Sequence, residues 1–225
     1  MPCASSTPST GAAVAELAFL VEGAAPVEHS ASPAVALGVA ISAPGMHVES
    51  ILLRSSVRIE AGRRSHDGVE RERLGELFGG EELWSRAPKS LLWAQTTTLV
   101  PGFSGDTRVE VILPCSYDLA ASAFRYLHGL VGGDVPLAVQ FSGTVFLRKP
   151  AGLEVSPIPW DREAAFSLPI AFFERAIDAH FPGEAVIGLG REVFERLNGY
   201  RRELGVRTVT EAVERLLAAA RERVG

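Results

Sequence analysis

The residues of this chain that could do chemistry are few and widely spaced. Its histidines, His29, His47, His66, His128 and His180, each stand alone in sequence. Metal-binding helices and knuckles need His, Cys or carboxylates at short, regular spacing, and no such group recurs here. We therefore expect no bound metal. The cysteines, Cys3 and Cys115, are too few for a zinc site of their own or for a disulfide framework. Cys115 stands where a helix is expected to start, which can favour a thiolate. With no histidine beside it, a small buried apolar role is the stronger expectation. Gly102-Phe103-Ser104-Gly105 lacks the Gly-x-Ser-x-Gly spacing of a nucleophile elbow and precedes a strand, where the elbow precedes a helix. It reads as a turn. Gly188-Leu189-Gly190 lacks the third glycine and the strand–helix setting of a dinucleotide loop. Asp161 and Glu163 flank Arg162 as a solvated charge cluster. His128 and His180 fall late in expected helices, where a charged imidazole meets the helix dipole. These patterns predict no catalytic residue and no cofactor.

The elements that would position any site are clearer. Val109, Val111 and Leu113 alternate with Arg108 and Glu110. Leu137, Val139, Phe141, Val145 and Leu147 alternate with Gln140, Ser142 and Thr144. This is the period of a half-buried antiparallel strand. Between them Pro114-Cys115-Ser116-Tyr117-Asp118-Leu119 is expected to open a helix to Val131, with Leu119, Ala123, Leu127, Leu130 and Val131 on one face. Earlier in the chain, Leu17–Val21, Val35–Ile41 and Ile51–Ile59 read as a meander, with a turn at Pro44-Gly45. Asp67 and Glu70 have capping-box spacing before a short helix that Gly79-Gly80 stops. Trp93–Val100 returns to extended structure, and Pro101–Asp106 reads as a loop.

After Lys149-Pro150 the texture changes. Pro157-Ile158-Pro159-Trp160 cannot be helix interior and reads as an extended linker or edge strand. Ser167 caps an expected helix with Pro169 early in it, turning Ile170, Phe173 and Ile177 inward. Val193, Leu197 and Leu204 mark a further helix closed by Gly205. Thr208 and Glu211 cap a last one. The expected fold is α+β. A disordered tail over residues 1–15 precedes a β-rich antiparallel-sheet domain over 16–150. An extended linker and a helical C-terminal part over 151–225 pack on that domain.

The chain has 225 residues, enough for one large domain or two small ones, and a net charge of −5. With an isoelectric point near 5.6 it has no overall attraction for nucleic acid or anionic membrane. Mean hydropathy is +0.16, and no apolar run is long enough to span a bilayer. The first fifteen residues lack the basic and apolar regions of a secretory signal, so a cytoplasmic protein is expected.

Two segments resemble known folds. The order of elements from Phe19 to Val131 is similar to that of the export chaperone SecB, which implies a SecB-like sheet that holds apolar segments of other proteins. Ala185-Val186-Ile187-Gly188-Leu189, followed by two helices, resembles the ribbon–helix–helix repressors. That strand has no Arg, Lys, Asn or Gln to meet base edges, so two packed helices are the stronger expectation.

The chain as a whole, over residues 16 to 218, resembles an uncharacterised bacterial family often encoded beside high-affinity nickel–iron hydrogenases. The resemblance rests on Val57-Arg58-Ile59-Glu60-Ala61-Gly62-Arg63-Arg64, Leu99-Val100-Pro101-Gly102-Phe103, Pro114-Cys115-Ser116-Tyr117-Asp118-Leu119 and Phe141-Ser142-Gly143-Thr144-Val145-Phe146. Pro159-Trp160, Leu168-Pro169, His180-Phe181-Pro182-Gly183 and Glu211-Ala212-Val213-Glu214-Arg215-Leu216-Leu217 continue it. It implies an accessory role near hydrogenase assembly and carries no catalytic residues.

The leading expectation is a non-enzymatic, chaperone-like binding protein. Its partner would be a protein, a hydrogenase subunit or maturation factor, with room for a homo-oligomer. The alternatives are an enzyme whose site forms only in the fold, and a regulator using the C-terminal helices. The expected partner contacts are Val100 and Phe103 at a loop tip, and Phe124 and Tyr126 on the second face of the helix after Cys115. The competing reading makes Phe103 a lid on the core. Trp160 is expected to pack onto the sheet, in which case its loss would cost about 3–5 kcal/mol.

Overall fold

The computed structural model describes residues 16–79, 89–118, 121–150 and 152–222. The tail 1–15, Gly80 and Leu119 lie outside them. The chain divides into two compact units, Met1–Ala185 and Val186–Gly225.

The first unit is a mixed fold built on one seven-stranded sheet, antiparallel throughout. Its strands are β1 (Ala18–Pro26), β2 (Ala34–Ile59), β3 (Leu91–Val100), β4 (Phe103–Pro114), β5 (Asp134–Lys149), β6 (Gly152–Pro157) and β7 (Glu163–Pro169). β2 is the spine. Along one edge it pairs first with β4 and then with β3; along the other, first with β1 and then with β5. β5 is shared in the same way, by β6 over its last residues and β7 over its first.

The expected meander turn at Pro44-Gly45 is instead a bulge inside one 26-residue strand. Ala43 pairs with Gly105 and His47 with Ser104, so residues 44–46 are extra on β2. Gly45 carries them at φ 70°. Three extra residues reverse which parity points inward, and even-numbered Val48 is buried. Val48 pairs with Leu147 and Ser50 with Phe146, so Glu49 is one more extra residue and restores the parity. Hence Val35, Leu37, Val39, Ile41, Ile51, Leu53, Val57 and Ile59 all line one core. Phe19 of β1 stacks on Phe141 of β5 with centroids 4.5 Å apart, which brings the two halves of the bent sheet face to face.

β6 and β7 lie beyond residue 150, so the sheet continues where a linker was expected. Ser167 and Pro169 belong to β7 rather than to a helix start, because both pair with β5. Helix α1 (Gly68–Phe78) begins as its cap predicts, with Glu70 N donating to Asp67 Oδ1 at 2.8 Å. Helix α2 (Ser122–Gly129) is shorter than expected. Residues 115–118 remain loop, since Cys115 N is still bound to Pro33 O at 2.8 Å. Helix α3 (Ile170–Asp178) turns Ile170, Phe173 and Ile177 inward, as its periodicity predicts. Phe173 meets Trp93 of β3 and His128 of α2 edge-on.

The second unit is a helical hairpin, α4 (Arg191–Glu203) and α5 (Val209–Glu222). Gly205 turns the chain at φ 67°, and Thr208 Oγ1 accepts Glu211 N at 3.1 Å. Residues 186–190 form no strand, so the ribbon of a ribbon–helix–helix is missing.

Gly143 shows how tightly β5 lies on the spine. It has φ 129°, and a Cβ there would meet Leu52 O at 2.0 Å. Gly143→Ala should lower the unfolding free energy by about 2–4 kcal/mol, read by chemical denaturation, because backbone rather than a side chain must move.

Candidate functional site

The fold disposes differently of the residues expected to meet a partner. Val100 and Tyr126 are fully buried, and Phe103 and Phe124 are half-buried against the core. Val100-Pro101-Gly102-Phe103 is no loop tip. Val100 pairs with Ile51 and Phe103 with Val48, so β3 and β4 run as one ribbon along the spine. A Cβ on Gly102 would lie 2.9 Å from Glu49 O, which shows the closeness of that approach. Tyr126 faces inward because α2 turns that side to the core, and its hydroxyl lies 2.8 Å from His66 Nε2. Burial pushes this phenol up to about 12. Val100 and Tyr126 are thus taken up by the core, while Phe103 and Phe124 keep part of their surface open.

The groups with chemical potential are likewise accounted for. Burial pushes the Cys115 thiol up to about 12, so it is no thiolate at neutral pH. His128 Nε2 donates to Ser116 O at 2.9 Å, and His180 faces the carbonyls of Ala176 and Ser30. Ser104 Oγ does lie 2.7 Å from His47 Nδ1. The pair is exposed beside a hollow of about 220 Å³ lined by Gly45, Met46, His47, Leu147, Arg148 and Lys149. An activated serine needs a shielded base held by a third group, and this open pair has no such shielding. A larger hollow, about 640 Å³, lies over Leu20, Ala40 and Ser42, with Asp106 and the Arg108–Glu22 pair, 2.7 Å apart, in its wall. Among the described residues no three His, Cys, Asp or Glu side chains converge as a metal site, and no helix is long and apolar enough to cross a membrane.

One buried polar network ties the sheet to its helices. Arg64 donates to Glu70 at 2.6 Å and to the carbonyls of Gly132 and Asp134, while Glu70 accepts Val131 N at 3.0 Å. His66 sits beside this network, and burial, partly opposed by Glu70, holds its imidazole below the usual histidine range. The unfolded chain then binds this proton more readily than the folded one. Its contribution is present above the ordinary histidine pKa of about 6.5 and is lost as pH falls through the folded value. Thermal midpoints should therefore drop on going from neutral to mildly acidic pH, and His66→Gln should flatten that part of the profile.

What the fold leaves open is the outer face of β3, β2, β5 and β6. Leu52 pairs with Leu99 on one side and with Thr144 on the other. Directly opposed residues share a face. Phe146, two residues on from Thr144, pairs with Val155, and Arg148 pairs with Leu153. Leu99 and Leu52, and on the next strands Phe146 and Val155, thus form an apolar strip that steps around Thr144 over four strands, with Leu153 beyond it on β6; Leu99 is 69% exposed and Val155 55%. Sequence alternation did not single these residues out, because it locates the core face. The signal lay in adjacent apolar pairs, Leu52-Leu53 and Leu99-Val100, which a strand must split between its two faces.

Trp160 adds to this surface and corrects the expectation that it packs inward. It is 84% exposed, at the turn between β6 and β7. Ile158 takes the buried position instead, its N–H bonded to Gly143 O at 3.0 Å. Trp160 follows two residues later, where the chain is already turning away from the core. Gln140 Nε2 donates to its carbonyl at 3.4 Å. Trp160→Ala should leave the melting temperature within experimental error; a loss of several degrees would mean that the ring is covered.

Residues 14–225 match the family of unknown function DUF6084. The chain belongs to that family. No curated protein matches it. Among solved structures it is similar to a protein assigned as late embryogenesis abundant (LEA), at 12% identity and a TM-score of 0.33, covering 68% of this chain and 70% of that one. It is also similar to β-glucosidase 3B from Thermotoga neapolitana in complex with α-D-glucose, at 13% identity and a TM-score of 0.25, covering 67% of this chain and 17% of the enzyme. A β-glucosidase from Kluyveromyces marxianus gives 9% identity and a TM-score of 0.24, covering 68% of this chain and 14% of the enzyme. The chain spans under a fifth of either glucosidase. Likenesses this distant decide neither fold nor function.

Proposed function

We propose that this DUF6084 protein is a non-enzymatic, chaperone-like accessory protein of the cytoplasm that holds an apolar segment of a protein partner on the open face of its sheet. The apolar pairs Leu52–Leu99 and Phe146–Val155 on that face carry the reading. Isolated exposed leucines are ordinary, but paired apolar residues clustered on one sheet face favour association. β6 lies at the end of the sheet path, so its outer backbone groups can receive an added strand from a client. Arg54 and Arg58 are exposed on the same face and favour a segment that mixes acidic with apolar residues. The resemblance of the sequence from Phe19 to Val131 to SecB favours a holding role. The resemblance to a family encoded beside nickel–iron hydrogenases names the client class, a hydrogenase subunit or maturation factor. Neither nucleic acid nor membrane enters this reading.

The test is co-expression with the subunits and maturation factors of a nickel–iron hydrogenase, followed by purification on this chain. Wild type should retain one of them. Leu99→Ser with Val155→Ser should lose it while keeping the wild-type melting temperature. Equal retention by that variant, or none by wild type, would remove the sheet face from consideration.

A further inference from the structure

The C-terminal hairpin offers a second surface, independent of the sheet-face reading. Its helices have 13 and 14 residues, and among its described residues only Ala212 is buried. Units this small rarely hold a core without a staple or a partner. Val209, Val213, Leu216 and Ala220 recur along α5 at the spacing of a coiled-coil seam, with Leu217 beside it. From Glu214 to Glu222 every α5 residue is exposed, Leu217 by 58%.

We infer that α5 pairs antiparallel with α5 of a second copy of this chain, about a two-fold axis at Leu217. The charges favour that occupant. At 100° per residue Glu214 and Arg221 lie on the face of Leu217, three residues before it and four after it. An antiparallel copy centred on Leu217 brings Glu214 of each chain beside Arg221 of the other. The same pair therefore forms twice, as an isologous contact requires. A parallel copy would set Glu214 on Glu214 and Arg221 on Arg221. Ala218, Ala219 and Ala220 keep the surface low, which lets two helix axes approach closely. Leu217 meets its own copy on the axis and seals the contact.

The full chain should sediment at twice its 24.0 kDa mass at high micromolar concentration and dissociate on dilution. Leu217→Glu places two carboxylates on the axis and should return the chain to a single mass with its melting curve otherwise intact. Glu214→Arg should weaken the dimer about tenfold, since two ion pairs are lost together. The swap Glu214→Arg with Arg221→Glu should restore it. A wild-type chain that stays monomeric at every concentration overturns the inference, including the case where Leu217→Glu then melts lower because the same chain covers α5. A dimer indifferent to Leu217→Glu overturns it as well, as does a charge swap that fails to rescue. Loss of client binding with the dimer intact would count only against the sheet-face reading.

Discussion

β2 must serve one core along 26 residues. Fully extended, such a strand would run roughly 85 Å, about twice the width of a compact body of this size. It therefore has to bend, and the bend must not turn its apolar side chains outward. The three-residue bulge at 44–46 and the single extra residue at Glu49 meet both demands. The first reverses inward parity and the second reverses it again. Either alone would send Ile51, Leu53, Val57 and Ile59 to solvent and leave β3 and β5 pairing with the wrong face.

The rest of the sheet follows from this. β2 is long enough for two partners on each edge, and the breaks between those partners fall near the bend. Pro101-Gly102 separates β4 from β3 beside Glu49, and on the other edge β1 starts at Ser42 while β5 pairs only from Val48 onward. β5 repeats the arrangement, with residues 158–162 between β6 and β7. Gly143 lies at that second break, its α-carbon tight against Leu52 O. The Arg64–Glu70 pair ties the end of the spine to the start of β5 through the carbonyls of Gly132 and Asp134. A buried pair of this kind contributes less to net stability than to fixing one arrangement of the chain around it.

The sequence revealed this body unevenly. Alternation identified the inward residues of β2, β4 and β5, because a strand's side-chain period holds whatever the chain does between strands. It could not separate a hairpin turn from a bulge at Pro44-Gly45, since both ask for the same residues. Nor could it see that Pro101-Gly102 interrupts a ribbon, because that depends on which strand lies alongside. The helix after Cys115 was placed too early for a related reason. Local propensity permits a helix there, but tertiary bonding holds the Cys115 N–H at Pro33 O. Val100 and Phe103 read as a loop tip, and Phe124 and Tyr126 as the second face of a helix. In the ribbon and the core-facing helix, Val100 and Tyr126 join the core, and Phe103 and Phe124 pack partly against it. Trp160 erred the other way, because composition says that an indole favours burial but not which residue of a turn receives it.

The residues left exposed have their own logic. On β2, Leu53 faces the core and Leu52 faces water; on β3, Val100 and Leu99 divide the same way. Folding needs only the inward member of each pair, and a soluble strand normally alternates it with a polar residue. Arg54 and Arg58 follow that rule on the same strand, and Leu52 departs from it. The departures are also aligned, since Leu52 and Leu99 are direct cross-strand partners and Phe146 and Val155 are another such pair. Exposed apolar strands invite unwanted pairing, which proteins ordinarily suppress with charge, proline or cover. Pro157 at the end of β6 and the Lys149–Glu154 pair supply some of that suppression, Glu154 standing between Leu153 and Val155. The proline and the charge pair thus fall on β5 and β6, and neither stands on β2 or β3, where the Leu52–Leu99 pair lies.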